Sequence, residues 1–187
     1  MGNVVYSLNV SLDGFVETVD HSIDWVHIDE EIHRAFNAQQ ATVGAHLYGR
    51  RMWDIMASYW PTADQDPNAS PSEVEWALIW QAMPKVVVSR SLDRIDEPNT
   101  RLVRGDAADE LERLRATIDG DIDVGGPTLA AALIERDLVD DFRLFLNPVT
   151  LGAGTPYLPV GMQRQMRLVE TRPFASGVVY LRYERVR

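Results

Sequence analysis

A chain of 187 residues with 45% apolar content is long enough to fill one core, so a single domain over residues 1–187 is expected. Its 28 acidic and 18 basic side chains give a net charge of −10, and a field of this sign repels nucleic-acid phosphates and anionic membrane surfaces. The absence of cysteine excludes disulfides and thiolate sites and, with no long apolar run, favours a cytoplasmic protein.

Strand-like and helical patterns alternate along the whole chain. Apolar or β-branched runs with the lengths of strands lie at 4–10, 41–49, 85–89, 100–104, 122–124, 142–149, 166–171 and 177–185. Patterns with helical spacing lie at 29–40, 50–56, 73–83, 106–118 and 128–139. The helix at 73–83 is expected to begin at an N-cap on Ser70 or Ser72. This order predicts an α/β fold, with a mainly parallel sheet, helices on both faces and an antiparallel hairpin at the C-terminus.

Three of the predicted strands are followed by turns suited to an anionic ligand. Gly49 precedes Arg50 and Arg51 at a helix start, the sequence GGP follows another strand at 125–127, and Ser-Arg-Ser follows a third at 89–91. Ligands of open parallel sheets bind at the carboxyl ends of the strands, where helix N-termini attract phosphates. Plainer interpretations stay open, because the arginines would also pair with nearby acids and GGP would also serve as a tight packing turn.

The motifs SLDGF, LYGRRMW, PKVVVSRSL and VGGPTLAAALIERDLVDDFRLFLNPVTLGAG occur in this order along the chain. In order and spacing they resemble the dihydrofolate reductase superfamily, especially bacterial proteins similar to the reductase half of the riboflavin-biosynthesis deaminase-reductase. The resemblance implies an eight-stranded, mainly parallel sheet, NADPH as hydride donor and a cis peptide bond between Gly125 and Gly126. It also implies a set of coenzyme-binding residues, namely Gly49, Arg50, Arg51, Ser89, Arg90, Ser91, Gly125, Gly126, Pro127, Thr128 and Leu129.

Acidic side chains at two places are candidates for the catalytic carboxylate. In dihydrofolate reductases an acid near the start of the first helix grips the substrate ring, and counting from Trp25 places Glu30 there, beside Asp29 and Glu31. Successive helical residues point about 100° apart, so at most two of the three face the cleft. Asp13, in the loop after the first strand, is the second candidate. The alternatives are that the helix acids only start a solvated helix and that Asp13 belongs to an ordinary turn.

The segment HIDEEIH, with His27 and His33, does not have the spacing of a metal site. The two histidines are six residues apart and point to different sides of a helix, so no metal is predicted. Trp53, Trp60, Trp76 and Trp80 are expected in the core or at a dimer contact.

The substrate stays open at this stage. Riboflavin-pathway reductases carry a DxPxLTxR-like segment where this chain has WDIMASYWP, and the proline-containing stretch of folate reductases is replaced by VHID. The expected function is hydride transfer from NADPH to a small heterocycle, either pterin-like or dihydrofolate-like, or a 5-amino-6-ribosylamino-pyrimidinone. The alternative is a catalytically silent, dimeric NADP(H)-binding protein. The family preference and the aromatic stretch ASYWP suggest a homodimer in either case.

Overall fold

The computed structural model describes residues 2–186, and an eight-stranded sheet forms its centre. The strands are β1 Val4–Ser11, β3 Val43–Gly49, β4 Lys85–Val88, β5 Thr100–Val103, β6 Asp121–Gly125, β7 Asp141–Asn147, β9 Met166–Pro173 and β10 Val179–Arg185. Their order across the sheet is β5-β4-β3-β6-β1-β7-β10-β9. The strands from β5 to β7 pair in parallel, whereas β10 pairs antiparallel with both β7 and β9. The predicted mainly parallel sheet and its C-terminal hairpin are therefore confirmed.

Five α-helices connect the strands, and polar side chains cap several of their first turns. The helices are α1 Glu30–Gln39, α2 Arg50–Ala57, α3 Pro71–Ala82, α4 Ala107–Thr117 and α5 Pro127–Glu135. Asp29 caps α1 by accepting from the Ile32 N–H, and Asp106 caps α4 in the same manner. Ser70, rather than Ser72, caps α3, with Glu73 completing a capping box. Short single turns of 3-10 helix lie at Gln40–Thr42 and Ala63–Gln65.

Successive residues of the central strands face opposite sides of the sheet, and each side has its own core. Leu47 and Val86 join the large aliphatic cluster that includes residues of α4 and α5. Tyr48 and Val87, one residue further along each strand, join a second cluster with tryptophans of α2 and α3. This second side of the sheet carries the polar residues of the cleft described below.

A short two-stranded sheet, which the sequence patterns do not predict, lies beside the end of β1. It pairs β2 Phe15–Glu17 with β8 Thr155–Pro156. Strands of two or three residues are too short for an alternation pattern to be read, and their pairing depends on contacts between distant segments. The longest helix of residues 2–186 has 12 residues, and none of the helices is long and apolar enough to cross a bilayer.

Lys85 makes the stability of this fold sensitive to alkaline pH. Its side chain is 1% exposed, and its ammonium donates to the backbone oxygens of Trp80 at 2.6 Å and Met83 at 2.8 Å. Burial lowers the pKa of Lys85 to about 8, whereas an unfolded lysine has a pKa of about 10.4. Between these two values the unfolded chain binds more protons, so the unfolding free energy should rise with pH by roughly 1–3 kcal/mol.

Urea unfolding at several pH values between about 7 and about 10 measures this effect. The Lys85→Met variant lacks the titrating group and should be less stable overall, with a flatter profile over the same interval. Parallel profiles for the wild type and the variant would contradict the assignment to Lys85.

Candidate active site

A cleft of about 710 Å³ opens at the carboxyl ends of β3 and β6, on the side of the sheet that carries α1, α2 and α3. Its wall contains Gly49, Arg50, Arg51 and the whole turn 125–129. β4, β3 and β6 are neighbours in the sheet, so the three predicted turns lie at adjacent strand ends. The turn 89–91 lies outside the lining of the cleft. It contacts the lining through the side chain of Ser91, which accepts from Arg50.

The turn after β6 brings bare backbone to the wall of the cleft. Gly126 has φ +109°, in the region that favours glycine, and it precedes Pro127 at the first position of α5. The described residues contain no cis peptide bond, so the expectation of a cis bond between Gly125 and Gly126 is corrected. The peptide bond between Gly125 and Gly126 is trans, and the chain turns here through the positive φ of Gly126.

Arg50 connects two of the three turns. Its Nη1 atom donates to Oγ of Ser91 at 2.7 Å, and its Nε atom lies 3.4 Å from a carboxylate oxygen of Asp54. Ser89 is buried and its hydroxyl accepts from the Ser91 N–H at 3.3 Å, which holds this turn in place. Arg90 is exposed. Half of the Arg50 side chain is also exposed, so its guanidinium is accessible to an anion.

Arg51 belongs to a second polar group at the mouth of the cleft. Its guanidinium donates to the carboxylate of Glu17 and lies 2.7 Å from Nδ1 of His21. Glu17 also accepts from the Thr155 hydroxyl, and its side chain is 8% exposed. The sequence patterns did not single out Glu17, although it follows the SLDGF motif closely. The group joins β2, β8 and the start of α2 around one nearly buried carboxylate.

The three acids at the start of α1 lie outside the cleft, and each has a partner elsewhere. Asp29 is the helix cap, and Glu31 accepts from Arg172 of β9 at 2.9 Å. Glu30 accepts from the Ser72 hydroxyl at 2.6 Å and from Arg34 at 2.8 Å, and these contacts lower its pKa.

Asp13 holds a loop and is not part of the cleft lining. Its carboxylate accepts from the Ser11 hydroxyl at 2.6 Å and from the N–H groups of Leu151 and Gly152. The Ser11 hydroxyl and these backbone groups lower the pKa of Asp13 to about 2. The carboxylate therefore ties the loop after β1 to the glycine-rich LGAG segment.

The acid that does line the inner part of the cleft is Asp123, in the middle of β6. Its Oδ2 atom lies 3.3 Å from Nδ1 of His46, which is 1% exposed on the neighbouring strand β3. Its Oδ1 atom is buried and has no hydrogen-bond partner among residues 2–186. An acid between Ile122 and Val124 of a buried strand is the sequence signal that marks this position.

Aromatic side chains form the wall opposite the sheet. Trp60 and Trp76 line the cleft with ring centroids 6.0 Å apart, and His33 packs edge-on against both. Trp53 and Trp80 lie in the core, as expected for some of the tryptophans. Trp60 of the stretch ASYWP thus faces the cleft. Among residues 2–186 no group of three or more His, Asp or Glu side chains is arranged to hold a metal ion.

Known proteins match this chain over nearly its whole length. A family model described as the RibD C-terminal domain matches residues 3–180. The uncharacterized protein YyaP of Bacillus subtilis (strain 168) is 32% identical over 182 residues, which cover 96% of this chain and 93% of YyaP. Among solved structures, a Shewanella sp. PV-4 protein assigned to riboflavin biosynthesis has a TM-score of 0.77 at 20% identity, with all of both chains covered.

A larger protein contains the same fold as one part. The Thermotoga maritima diaminohydroxyphosphoribosylaminopyrimidine deaminase/5-amino-6-(5-phosphoribosylamino)uracil reductase matches with a TM-score of 0.66 at 14% identity, over 99% of this chain and 57% of its own length. The resemblance drawn from the motifs is thereby confirmed, as is the predicted fold. The chain belongs to the RibD C-terminal domain family.

Proposed function

We propose that this protein is an NADPH-dependent reductase of a small heterocyclic substrate, pterin-like or 5-amino-6-ribosylamino-pyrimidinone-like. The observation that carries the proposal is the cleft itself, in which glycine backbone and two arginines meet an aromatic-lined chamber. Membership of the RibD C-terminal domain family supports a reductase.

The residues at the sheet edge fit a dinucleotide. Gly125 and Gly126 present backbone without side chains to the cleft, and the first turn of α5 directs its free N–H groups to the same place. Arg50 and Arg51 supply positive charge in a chain with a net charge of −10. Together they suit a pyrophosphate and a 2′-phosphate, the groups that distinguish NADPH from an uncharged ligand.

When bound, NADPH supplies a hydride, so that a substrate C=N bond gains the hydride at carbon and a proton at nitrogen while the coenzyme leaves as NADP⁺. The chain's own contribution is to hold the two reactants in contact and to keep water from the reacting atoms. The apolar wall formed by Trp60, Trp76 and Met56 serves this purpose.

Two measurements test the proposal in order. Fluorescence titration shows whether NADPH binds, and the absorbance of the reduced nicotinamide is then followed with dihydrofolate and with 5-amino-6-ribosylaminouracil. We expect binding and oxidation of NADPH with at least one of these classes. Binding without oxidation by any pterin or pyrimidine would favour a catalytically silent NADP(H)-binding protein, and absence of binding would overturn both interpretations.

The Arg50→Ala variant is expected to bind NADPH roughly 10- to 100-fold more weakly and to lose much less affinity for NADH. The half-exposed guanidinium lies between the turns after β3 and β4, next to Ser91. A hydrogen bond between charged groups is worth about 1.5–3 kcal/mol, and NADH has no 2′-phosphate to accept one. Titration of the wild type and the variant with both coenzymes measures the difference.

Arg34→Ala is the matched control, because Arg34 is an exposed arginine of α1 that pairs with Glu30 away from the cleft. It should leave both affinities unchanged. Equal losses of NADPH and NADH affinity in Arg50→Ala would refute the assignment of Arg50 to the 2′-phosphate.

A further inference from the structure

The part of the cleft beside α1, α2 and α3 is apolar, and we call it the inner chamber. Phe36 of α1, Met56 of α2 and Trp76 of α3 line it, together with Trp60 and with Ile28 from the segment before α1. The rings of Trp60 and Trp76 are inclined by 66° and contact each other edge to face, so together they form one aromatic surface. Aromatic and aliphatic walls of this kind favour a flat ring system over a flexible, charged one.

The arginines that line this cleft lie next to each other, away from the apolar side chains of the inner chamber. Among the described residues that line the cleft, the arginines are Arg50 and Arg51, both in the first turn of α2. The remaining basic group is His33, whose pKa is lowered by burial, so the imidazole is neutral at pH 7. The acids that line the cleft are Glu17 and Asp123. Arg143, another guanidinium near Asp123, is 8% exposed and already paired with Asp141. A phosphate in the inner chamber would therefore lie near a carboxylate, and the nearby guanidinium is already neutralised by Asp141.

Asp123 lies on the floor of this chamber. His46 is 3.3 Å from its Oδ2 atom, and the imidazole of His46 lies 6.4 Å from the ring of Trp76 between their centroids. The side chain of Asp123 is 17% exposed, and that exposure is toward the cleft whose wall it forms. Its buried Oδ1 atom has no hydrogen-bond donor among the described residues. A carboxylate with few hydrogen-bond donors binds an N–H group favourably, and the exposed part of Asp123 is available to such a group of a ligand.

We propose that the inner chamber binds a flat, phosphate-free nitrogen heterocycle, one of whose N–H groups donates to the carboxylate of Asp123. The proposal rests on the reductase function proposed above, since the part of the same cleft that carries the arginines is taken by the coenzyme. It makes Asp123, and not an acid of α1, the substrate-binding carboxylate. The proposal also predicts that the substrate is not a ribose phosphate, because both arginines of the cleft bind the coenzyme.

The first experiment compares two ligands of the wild-type protein saturated with NADP⁺. Calorimetry measures the affinity of 5-amino-6-ribosylaminouracil and of its 5′-phosphate, with pterin as a third, smaller probe. We expect the phosphate-free compounds to bind at least roughly tenfold more tightly than the phosphate. Equal or tighter binding of the phosphate, or no binding of either phosphate-free compound, would overturn the proposal.

The second experiment uses Asp123→Asn, which keeps the shape of the side chain and removes its charge. Replacing the charged acceptor by a neutral amide should weaken the better phosphate-free ligand by roughly 10- to 100-fold. NADPH affinity should stay within about twofold of the wild type, which also shows that the variant is folded. Glu112→Gln, an exposed acid of α4 on the opposite face of the sheet, is the control and should change neither affinity. Unchanged ligand affinity in Asp123→Asn would overturn the role of Asp123.

The two proposals fail in different ways. If NADPH does not bind to the wild type, the reductase function fails. If NADPH binds and is oxidised faster with the phosphorylated pyrimidine than with its phosphate-free form, the reductase function stands and the assignment of the inner chamber fails.

Discussion

Gly125→Ala is expected to lower the unfolding free energy by about 2–3 kcal/mol and to weaken NADPH binding at least roughly tenfold. A methyl group on this residue would lie 2.7 Å from Cε1 of Tyr48 and 2.9 Å from Cγ of Met52. Tyr48 is 3% exposed and stacks on His46 with ring centroids 5.1 Å apart, so its ring has little room to move. Because Tyr48, Met52 and Gly125 all line the cleft, any displacement that relieves the clash narrows the coenzyme end.

Urea unfolding and NADPH titration together test this expectation. Gly105→Ala is the control, because the nearest heavy atom to its added methyl group would be Cγ1 of Val103 at 3.9 Å. An exposed glycine with free space tolerates alanine with a change of about 0.5 kcal/mol or less. A Gly125→Ala variant with wild-type stability and wild-type NADPH affinity would show that neither folding nor coenzyme binding requires the close approach of β6 to Tyr48.

The position of the coenzyme end could be predicted from the sequence because it depends on local signals. Each turn follows a recognisable apolar run, and the strands of a parallel sheet end at the same edge. Gly49 and Gly125 therefore come together without any knowledge of side-chain partners, as neighbours at the ends of β3 and β6. The link from Arg50 to Ser91 connects residues 41 positions apart, and only the strand order makes it possible.

For the acids of α1, the sequence predicts the helix start but not the direction of each side chain. Their pattern correctly predicts a helix start, with Asp29 as its cap. It does not say where Glu30 and Glu31 point, because their partners Ser72 and Arg172 lie 42 and 141 positions away along the chain. Both partners come from elements that pack against α1 only in the folded protein. The direction of a charged side chain on a helix surface is decided by such contacts.

Asp123 has a signal in the sequence, because it interrupts an apolar strand. A buried parallel strand is normally a continuous apolar run, and β6 begins with Asp121 and carries a second acid, Asp123, between Ile122 and Val124. On the neighbouring strand β3, His46 is paired with Asp123. On β4, Lys85 is in turn paired with His46. Three ionisable residues therefore lie side by side on adjacent strands of a buried sheet, where polar groups are uncommon. Their shared register could not be read from the sequence, because it depends on how β3, β4 and β6 pair.

Asp141→Ala is expected to destabilise the fold by about 3–5 kcal/mol. The Asp141 side chain is 1% exposed and binds Arg143 at 3.0 Å and Arg182 at 2.8 Å. The Arg143 side chain is 8% exposed, so removal of the carboxylate leaves a buried guanidinium without its partner charge. Urea unfolding measures the loss, and Asp96→Ala is the control, because its ion pair with Arg94 is largely exposed and is worth about 1 kcal/mol or less.

A double variant separates the cost of the unpaired charge from other effects of the substitution. Asp141→Ala combined with Arg143→Met removes both charges, so it should be more stable than Asp141→Ala alone. If the double variant is less stable than the single one, the buried charge is not the cause. Arg143 also lies 3.5 Å from Oε1 of Gln39, which lines the cleft and accepts from the Ser7 hydroxyl. The ion pair of Asp141 with Arg143 therefore helps to position Gln39 in the cleft as well as stabilising the sheet. Its loss should reduce ligand affinity even in variants that still fold.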